Sequence, residues 1–466
     1  MSTEPPVHDS ATLNGAAPFS LLMKLFGDSQ MGEIYSEQTS LALWIRVEVA
    51  LANGQAQLGI LTPDAARDVA VAAKSARAHG SRIWESASNV GYPILSVVRL
   101  LDSHAAPAGV GRVHLGATTQ DIMDTATAIQ LRDATDLLLE RLQVVGDAVA
   151  LLVSSHRSTV MAGRTHAQQA VPISLGMKFS VLLDQVLRAR ERLMQERERI
   201  AVLSLFGAAG TSAALGPHSS KLRGLVAEEL GLKPTEVPWH VARDGLFAQC
   251  ANAVAAAEVA ARFAREIIDL SRTEIGEVLE PGGTHRGASS TMPQKANPIL
   301  SEAIVGFAVS ANSLMAGMGR TMEAGHERAA GEWQAEWHLI PQIMVLVSSA
   351  LLRAGELAEQ LVVNESAIEA NLRADHGLLM AEAYMIALSD LMGRENAHDA
   401  VYSACMRTRS ENTPLIEVLA SSLTEEERAV VSEIHPRDYI GEAESICDTA
   451  VAAWSMHLDN QERKGT

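Results

Sequence analysis

No proline occurs between Pro172 and Pro217, and across Ile173–Leu205 apolar residues recur at three- and four-residue steps: Leu175, Phe179, Leu182, Leu183, Val186 and Leu187. That is the period of one helical face, and it predicts a helix of roughly 30 residues, about 45 Å long at 1.5 Å per residue. Thr125–Ser155, Leu246–Val278, Pro298–Met318 and Glu336–Gln360 carry comparable patterns, so the middle of the chain reads as five long helices. Leu246–Val278 is packed with Ala251, Ala253, Ala255, Ala256, Ala257, Ala260 and Ala261, small residues that let helices approach closely. A helix apolar nearly all round needs more neighbours than one chain's bundle supplies, so assembly through the central helices is expected. Arg188–Arg199 mixes Arg and Glu at helical spacing and reads as a solvated face without a ligand.

Composition agrees with this class. Aromatic residues make up 4% of the 466 and hydrophobic residues 47%, a balance that suits close-packed helices better than aromatic-rich strands. At 49.7 kDa the chain exceeds one ordinary core. The expected fold is therefore all-α, with a loose tail over 1–20, an N-terminal helical domain over 21–115, a central long-helix bundle over 116–365 and a C-terminal helical domain over 366–466. A formal charge of −18 without a Lys/Arg tract argues against a nucleic-acid partner and leaves an anionic substrate in need of a locally basic pocket. Cys250, Cys405 and Cys447 are odd in number and far apart, which argues against a disulfide framework and a cysteine metal site and for a reducing cytoplasm. The first 20 residues lack the pattern of a signal peptide. Ala303–Gly319, interrupted by Ser310, Asn312 and Ser313, reads as a buried helix rather than a membrane span.

Three polar segments interrupt the helices: Val113–Thr125, Met161–Gly176 and Gly282–Glu302. A loop rich in Gly and Ser is most often a connector. The last segment, however, ends in Ser289-Ser290-Thr291-Met292-Pro293-Gln294-Lys295-Ala296-Asn297-Pro298, which resembles the S-S-x-M-P-x-K-x-N-P signature loop of the fumarase/aspartase superfamily at seven fixed positions. Gly163-Arg164-Thr165-His166-Ala167-Gln168 is similar to that family's G-R-T-H-x-Q region, and Gly116–Thr125 to its G-x-T-S-x-D-x-x-D-T region. Phe206–Thr211 resembles a Gly-rich turn between its long helices. The likeness runs from about Phe26 to Asp390.

The resemblance implies a homotetramer whose active sites are assembled from three segments donated by three subunits. It implies a cofactor- and metal-independent anti elimination, or its reverse, on a small di- or tricarboxylate. Ser289 matches the family's base; a serine hydroxyl is too weak a base unless surrounding N–H groups and cationic Lys295 favour its ionised form. Lys295 and Asn297 resemble the residues that grip a substrate carboxylate, Thr118, Thr119 and Gln120 fall in the segment that supplies further donors, and His166 resembles the histidine that acts near the leaving group, directly or through water.

Ala288 departs from the glycine that usually precedes the serine pair. Gly91-Tyr92 stands where adenylosuccinate lyases carry a His-Asp pair, and Leu25-Phe26 where they carry Arg-Tyr, which disfavours a nucleotide substrate. Glu327–Trp337 is similar to the E-R-x-x-G-x-W-x-x-E-W stretch of the 3-carboxy-cis,cis-muconate cycloisomerase branch. Arg328 in that stretch is a cation for a second substrate carboxylate or an ion-pair partner of Glu327 or Glu332, and Trp333 and Trp337 read as core packing. A lactone carboxylate, an amine or nitrite all fit as the leaving group. The reading from a different class is a non-catalytic relative that keeps the fold as a structural protein, against which the intact Ser289, Lys295, Asn297 and His166 speak.

Overall fold

The computed structural model describes residues 20–78, 80–283, 285–328 and 330–465. The tail expected over 1–20 lies outside them except for Ser20, whose hydroxyl accepts from Met23 N and caps the helix Leu21–Phe26. Helix α1, Glu37–Gln57, is capped by Ser36, whose Oγ accepts from Thr39 N at 3.1 Å. It packs on Pro63–Ala78 and on Ser219–Leu230, where Gly54 lies so close that a Cβ would stand 3.0 Å from Leu222 Cδ1.

The five long helices are α2 (Thr119–Ser155), α3 (Leu175–Ile200), α4 (Asp244–Leu270), α5 (Ile299–Thr321) and α6 (Glu332–Glu359). The chain is all-α in class, with two small two-stranded sheets among the described residues that periodicity does not announce. Strands β1 (Val160–Thr165) and β2 (Gln168–Ser174) form an antiparallel hairpin, so α3 begins at Leu175 and not at Ile173. Helix α4 stops at Leu270, short of the expected Val278, because Val278–Leu279 pairs as a strand with Val362–Val363. In α6, Pro341 has no N–H to offer the Trp337 carbonyl four residues earlier.

The chain divides into two compact units. One runs to Glu140 and includes Glu191–Ala257 and Gly306–Ser349; the other comprises Arg141–Arg190, Glu258–Val305 and Ala350 onward. Each long helix contributes one stretch of residues to each unit. In the first, Ile122, Met123, Ile129, Leu203, Leu222 and Trp333 share a core. In the second, Leu379, Leu388, Val401, Leu415 and Leu419 form another, and helix α7 (Ala443–Gly465) donates Trp454 Nε1 to Asp147 at 2.8 Å.

Helix α5 is less enclosed than Ala303–Gly319 was expected to be. It and α6 are long and apolar enough to cross a membrane by length and composition, yet only 39% and 50% of their most apolar stretches are buried within the chain. The three cysteines are free thiols, and burial followed by the Glu336 charge pushes Cys250 up to about 12.

Candidate active site

The signature loop, of which Thr284 lies outside the described residues, closes into a narrow hairpin. Asn297 N donates to Gly287 O at 2.8 Å, and Ala288 bridges Ala296 in antiparallel fashion. Ser289 and Lys295 are thus the next residues along on opposite arms. Gly287 makes the base possible, with φ +66° and room for no Cβ, which would stand 2.5 Å from Asn297 O. At the tip Ser289 Oγ accepts from Met292 N at 3.1 Å and Thr291 N at 3.3 Å. Two N–H donors aimed at one hydroxyl oxygen favour its anionic form.

The Lys295 side chain is exposed and pairs with no carboxylate among the described residues. The loop's roots are fixed. Glu280 accepts from Leu300 N at 3.0 Å, Ser301 N at 2.7 Å and Ser301 Oγ at 2.6 Å, capping α5, and Arg286 pairs with Glu356 at 2.7 Å. Asn297, Arg286, Glu280 and Ser271 line a cavity of about 350 Å³ beneath the loop.

His166 stands at the tip of the β1–β2 hairpin. Thr165 pairs with Gln168, leaving His166 and Ala167 as a two-residue turn with φ of 50° and 62°. Both positive values match a type I′ turn, which Asn-Gly ordinarily fills. A non-glycine pair there is strained, as at sites where a side chain must be aimed. Gly163 lies at the bulge between Ala162 and Arg164, and Arg164 makes a bidentate pair of 2.8 and 2.7 Å with the fully buried Glu277. The motif's Gly and Arg therefore anchor the turn that presents His166.

The third segment opens α2. Thr118 N donates to Asp121 Oδ2 at 3.0 Å, and Asp121 also accepts from Phe206 N at 2.9 Å and Gly207 N at 2.8 Å, tying the segment to the Gly-rich turn. Thr119 is the first residue of α2 and is half-buried. Gln120 is fully buried, and its amide nitrogen is committed inward, to Asp124 Oδ2 at 3.1 Å and His240 O at 2.8 Å.

Arg328 pairs with neither Glu327 nor Glu332. Its Nη2 donates to Thr118 Oγ1 and to Ala208 O, each at 2.9 Å, its Nε is buried without a partner, and no carboxylate among the described residues neutralises it. Thr118, Thr119, Gln120 and Arg328 thus fall in one unit; His166, Ser289, Lys295 and Asn297 fall in the other.

Behind the first group lies a buried charge cluster. Arg243 forks between Asp124, at 2.8 and 3.1 Å, and Glu336, while Trp333 Nε1 donates to Asp124 at 3.1 Å. Burial opposes the charge on Arg243, but the two carboxylates outweigh it and hold the guanidinium above its usual range; burial raises Glu336 in spite of Arg243. Trp333 is core, whereas Trp337 is 37% exposed and, with Tyr92, completes an aromatic cluster with centroids 5.0 to 6.1 Å apart.

Sequence reasoning missed Arg243, His240 and the pair His114–Glu48. His114, beside the motif at φ 63°, contacts Glu48 at 2.7 Å. His114 fell inside a segment already marked as polar, but its partner lies 66 residues away on α1. His240 and Arg243 follow a Pro-Trp pair with no periodic signal around them.

The comparisons give the family. Residues 26–312 match the lyase family and 377–450 the adenylosuccinate lyase C-terminus. The 3-carboxy-cis,cis-muconate cycloisomerase of Pseudomonas aeruginosa is 36% identical over 92% of this chain and 95% of that one. The chain belongs to the fumarase/aspartase superfamily. Within the superfamily, the crystal structure of the 3-carboxy-cis,cis-muconate lactonizing enzyme from Pseudomonas putida superposes with a TM-score of 0.87 at 33% identity, covering 94% of this chain and 99% of that one. An N-acetyl-S-(2-succino)cysteine lyase from Dickeya dadantii is 32% identical over 93% of this chain and 96% of its own. As a superfamily member the protein is a lyase or cycloisomerase acting on carboxylates.

Proposed function

We propose that the protein catalyses an anti β-elimination, or the reverse addition or lactonisation, on a small succinate-type di- or tricarboxylate, with Ser289 as general base. The observation that carries this is the pair of backbone N–H groups on Ser289 Oγ. The ionised oxygen takes the proton from the carbon next to a carboxylate, and the electron pair passes into that carboxylate to give an aci-carboxylate dianion. Lys295 and Asn297 hold the added charge, Thr118 and Thr119 belong to the segment that supports it, and Gln120, whose amide nitrogen is committed inward, orders that segment and does not contact substrate. The dianion collapses to the carbon–carbon double bond and expels the group on the neighbouring carbon, to which His166 delivers a proton directly or through water. Every step runs on protein groups alone, without a metal or cofactor.

Arg328, a guanidinium held beside Thr118 and left without a carboxylate, fits a second substrate carboxylate. That favours an unsaturated tricarboxylate or its lactone, as the cycloisomerase relatives act on. The succinocysteine lyase relative favours, as a second reading, a substituted succinate that loses a heteroatom group and leaves fumarate. The half-uncovered apolar faces of α5 and α6 fit a homotetramer in which sister chains cover them and complete each site, and the three free thiols fit the cytoplasm.

Incubation with carboxymuconate, its lactone and a panel of substituted succinates, followed by absorbance, distinguishes these substrates. Ser289→Ala is expected to lower kcat by at least about 10³-fold while leaving Tm within about 2 °C. Wild-type turnover in that variant would remove Ser289 from the role.

A further inference from the structure

We propose that His240 is a positioning residue for substrate recognition, setting through Asp121 where Arg328 presents its guanidinium. The inference rests on the reading above, in which Arg328 takes a substrate carboxylate. Arg328 hangs from two acceptors, Thr118 Oγ1 and Ala208 O, which belong to segments far apart in the chain. Its position is therefore only as well defined as the spacing between those segments.

One carboxylate sets that spacing. Asp121, fully buried, receives Thr118 N and Gly207 N on Oδ2, at 3.0 and 2.8 Å, and Phe206 N on Oδ1 at 2.9 Å. The Gly207 amide is one residue from Ala208, and the Thr118 amide is on the same residue as the hydroxyl that meets Arg328. Any rotation of the Asp121 carboxyl moves one acceptor of Arg328 relative to the other.

His240 prevents that rotation. Its Nε2 lies 2.8 Å from Asp121 Oδ1, and because an ionised carboxylate only accepts, Nε2 carries the hydrogen. The ring is 2% exposed and edge-on to Phe206, with centroids 6.4 Å apart at 90°, and the His240 carbonyl is pinned by Gln120 Nε2 at 2.8 Å. Its Nδ1 is buried and has no partner. A buried histidine kept for packing would satisfy both nitrogens or be replaced by an apolar ring; this one keeps a single polar contact, and that contact is Asp121.

The test uses the full-length enzyme in its native assembly, with succinate as the probe and its inhibition constant, kcat, KM and Tm as readouts. Arg328→Met is expected to weaken succinate by about 30-fold or more. His240→Leu is expected to weaken it by about 10-fold and lower kcat/KM in step, whereas His240→Gln, whose amide can still donate to Asp121, stays within about 3-fold of wild type. Adding His240→Leu to Arg328→Met costs no further succinate affinity, since the two act on one contact.

Should the leucine variant fail to fold, His240→Asn, one bond shorter, replaces it as the variant whose donor falls short. If Arg328→Met weakens succinate while His240→Leu and His240→Gln behave alike, or lower Tm alone, the positioning role is overturned and the reading of Arg328 stands. If the wild type does not bind succinate, or Arg328→Met leaves binding unchanged, the carboxylate reading of Arg328 falls and takes the inference with it.

Discussion

His114 carries a pH signature built on a close ion pair. Burial lowers its proton affinity, but the hydrogen bond and charge of Glu48, followed by the charge of Asp121, outweigh burial and raise it above the usual histidine value. A group raised in the folded state contributes stability that is complete below its unfolded pKa, near 6.5, and is lost as pH climbs through the folded value. His114→Gln should therefore be less stable than wild type by about 1.5 kcal/mol near pH 5.5, the worth of a hydrogen bond between charged groups. The gap should narrow as pH rises through the folded value, and a denaturant series at pH 5.5 and pH 9 measures it. An equal gap at both would exclude the ion pair. At this scale the sequence was half legible. Ser289, Lys295, Asn297, His166 and Thr118 stand in motifs whose residue types name their chemistry. Glu48, His240 and Arg243 do not, because each acquires meaning only from a partner brought near by the fold.

The β1–β2 hairpin is one element where the sequence misled, as the Val278–Leu279 strand read as the end of α4 is another. The hairpin's strands offer Gly163 at a bulge, Pro172 at a paired position and a His-Ala turn, none of which is the Asn-Gly signal that announces a two-residue connection. Its last residues, Ile173 and Ser174, merge into the apolar period of α3. The five long helices, by contrast, were readable as elements, since a repeat sustained over 20 or more residues leaves little alternative, although α4 ends at Leu270 rather than Val278 and α2 begins at Thr119 rather than Thr125. Ala167 at φ 62° tests what the tight turn does. Ala167→Gly removes a left-handed strain of about 1 kcal/mol and loosens the unfolded chain by roughly half as much, so net stability should rise by about 0.5 kcal/mol. If the strain serves to aim His166, kcat should nonetheless fall several-fold, a split that paired thermal and kinetic measurements would reveal. Unchanged kcat would leave the strain without a catalytic purpose.

For the whole molecule, the all-α class followed from helical period and composition, and the superfamily from three motifs that no composition could supply. The division of residues into two compact units was not legible, because each long helix runs through both numbered sets without a break in pattern. That division also separates the proposed chemistry, with Thr118 and Arg328 in one unit and Ser289, Lys295 and His166 in the other. If each centre borrows from different sister chains, defects in the two sets need not coincide. Two impaired preparations, Ser289→Ala and Arg328→Met, should then gain activity when unfolded together, refolded as a mixture and assayed well below the Arg328→Met variant's KM. Random assortment of equal amounts leaves about one centre in four with both side chains intact. Recovery near that fraction would mean that damage to this enzyme is pooled among its copies, whereas a mixture no more active than the mean of its parents would mean that each chain works for itself.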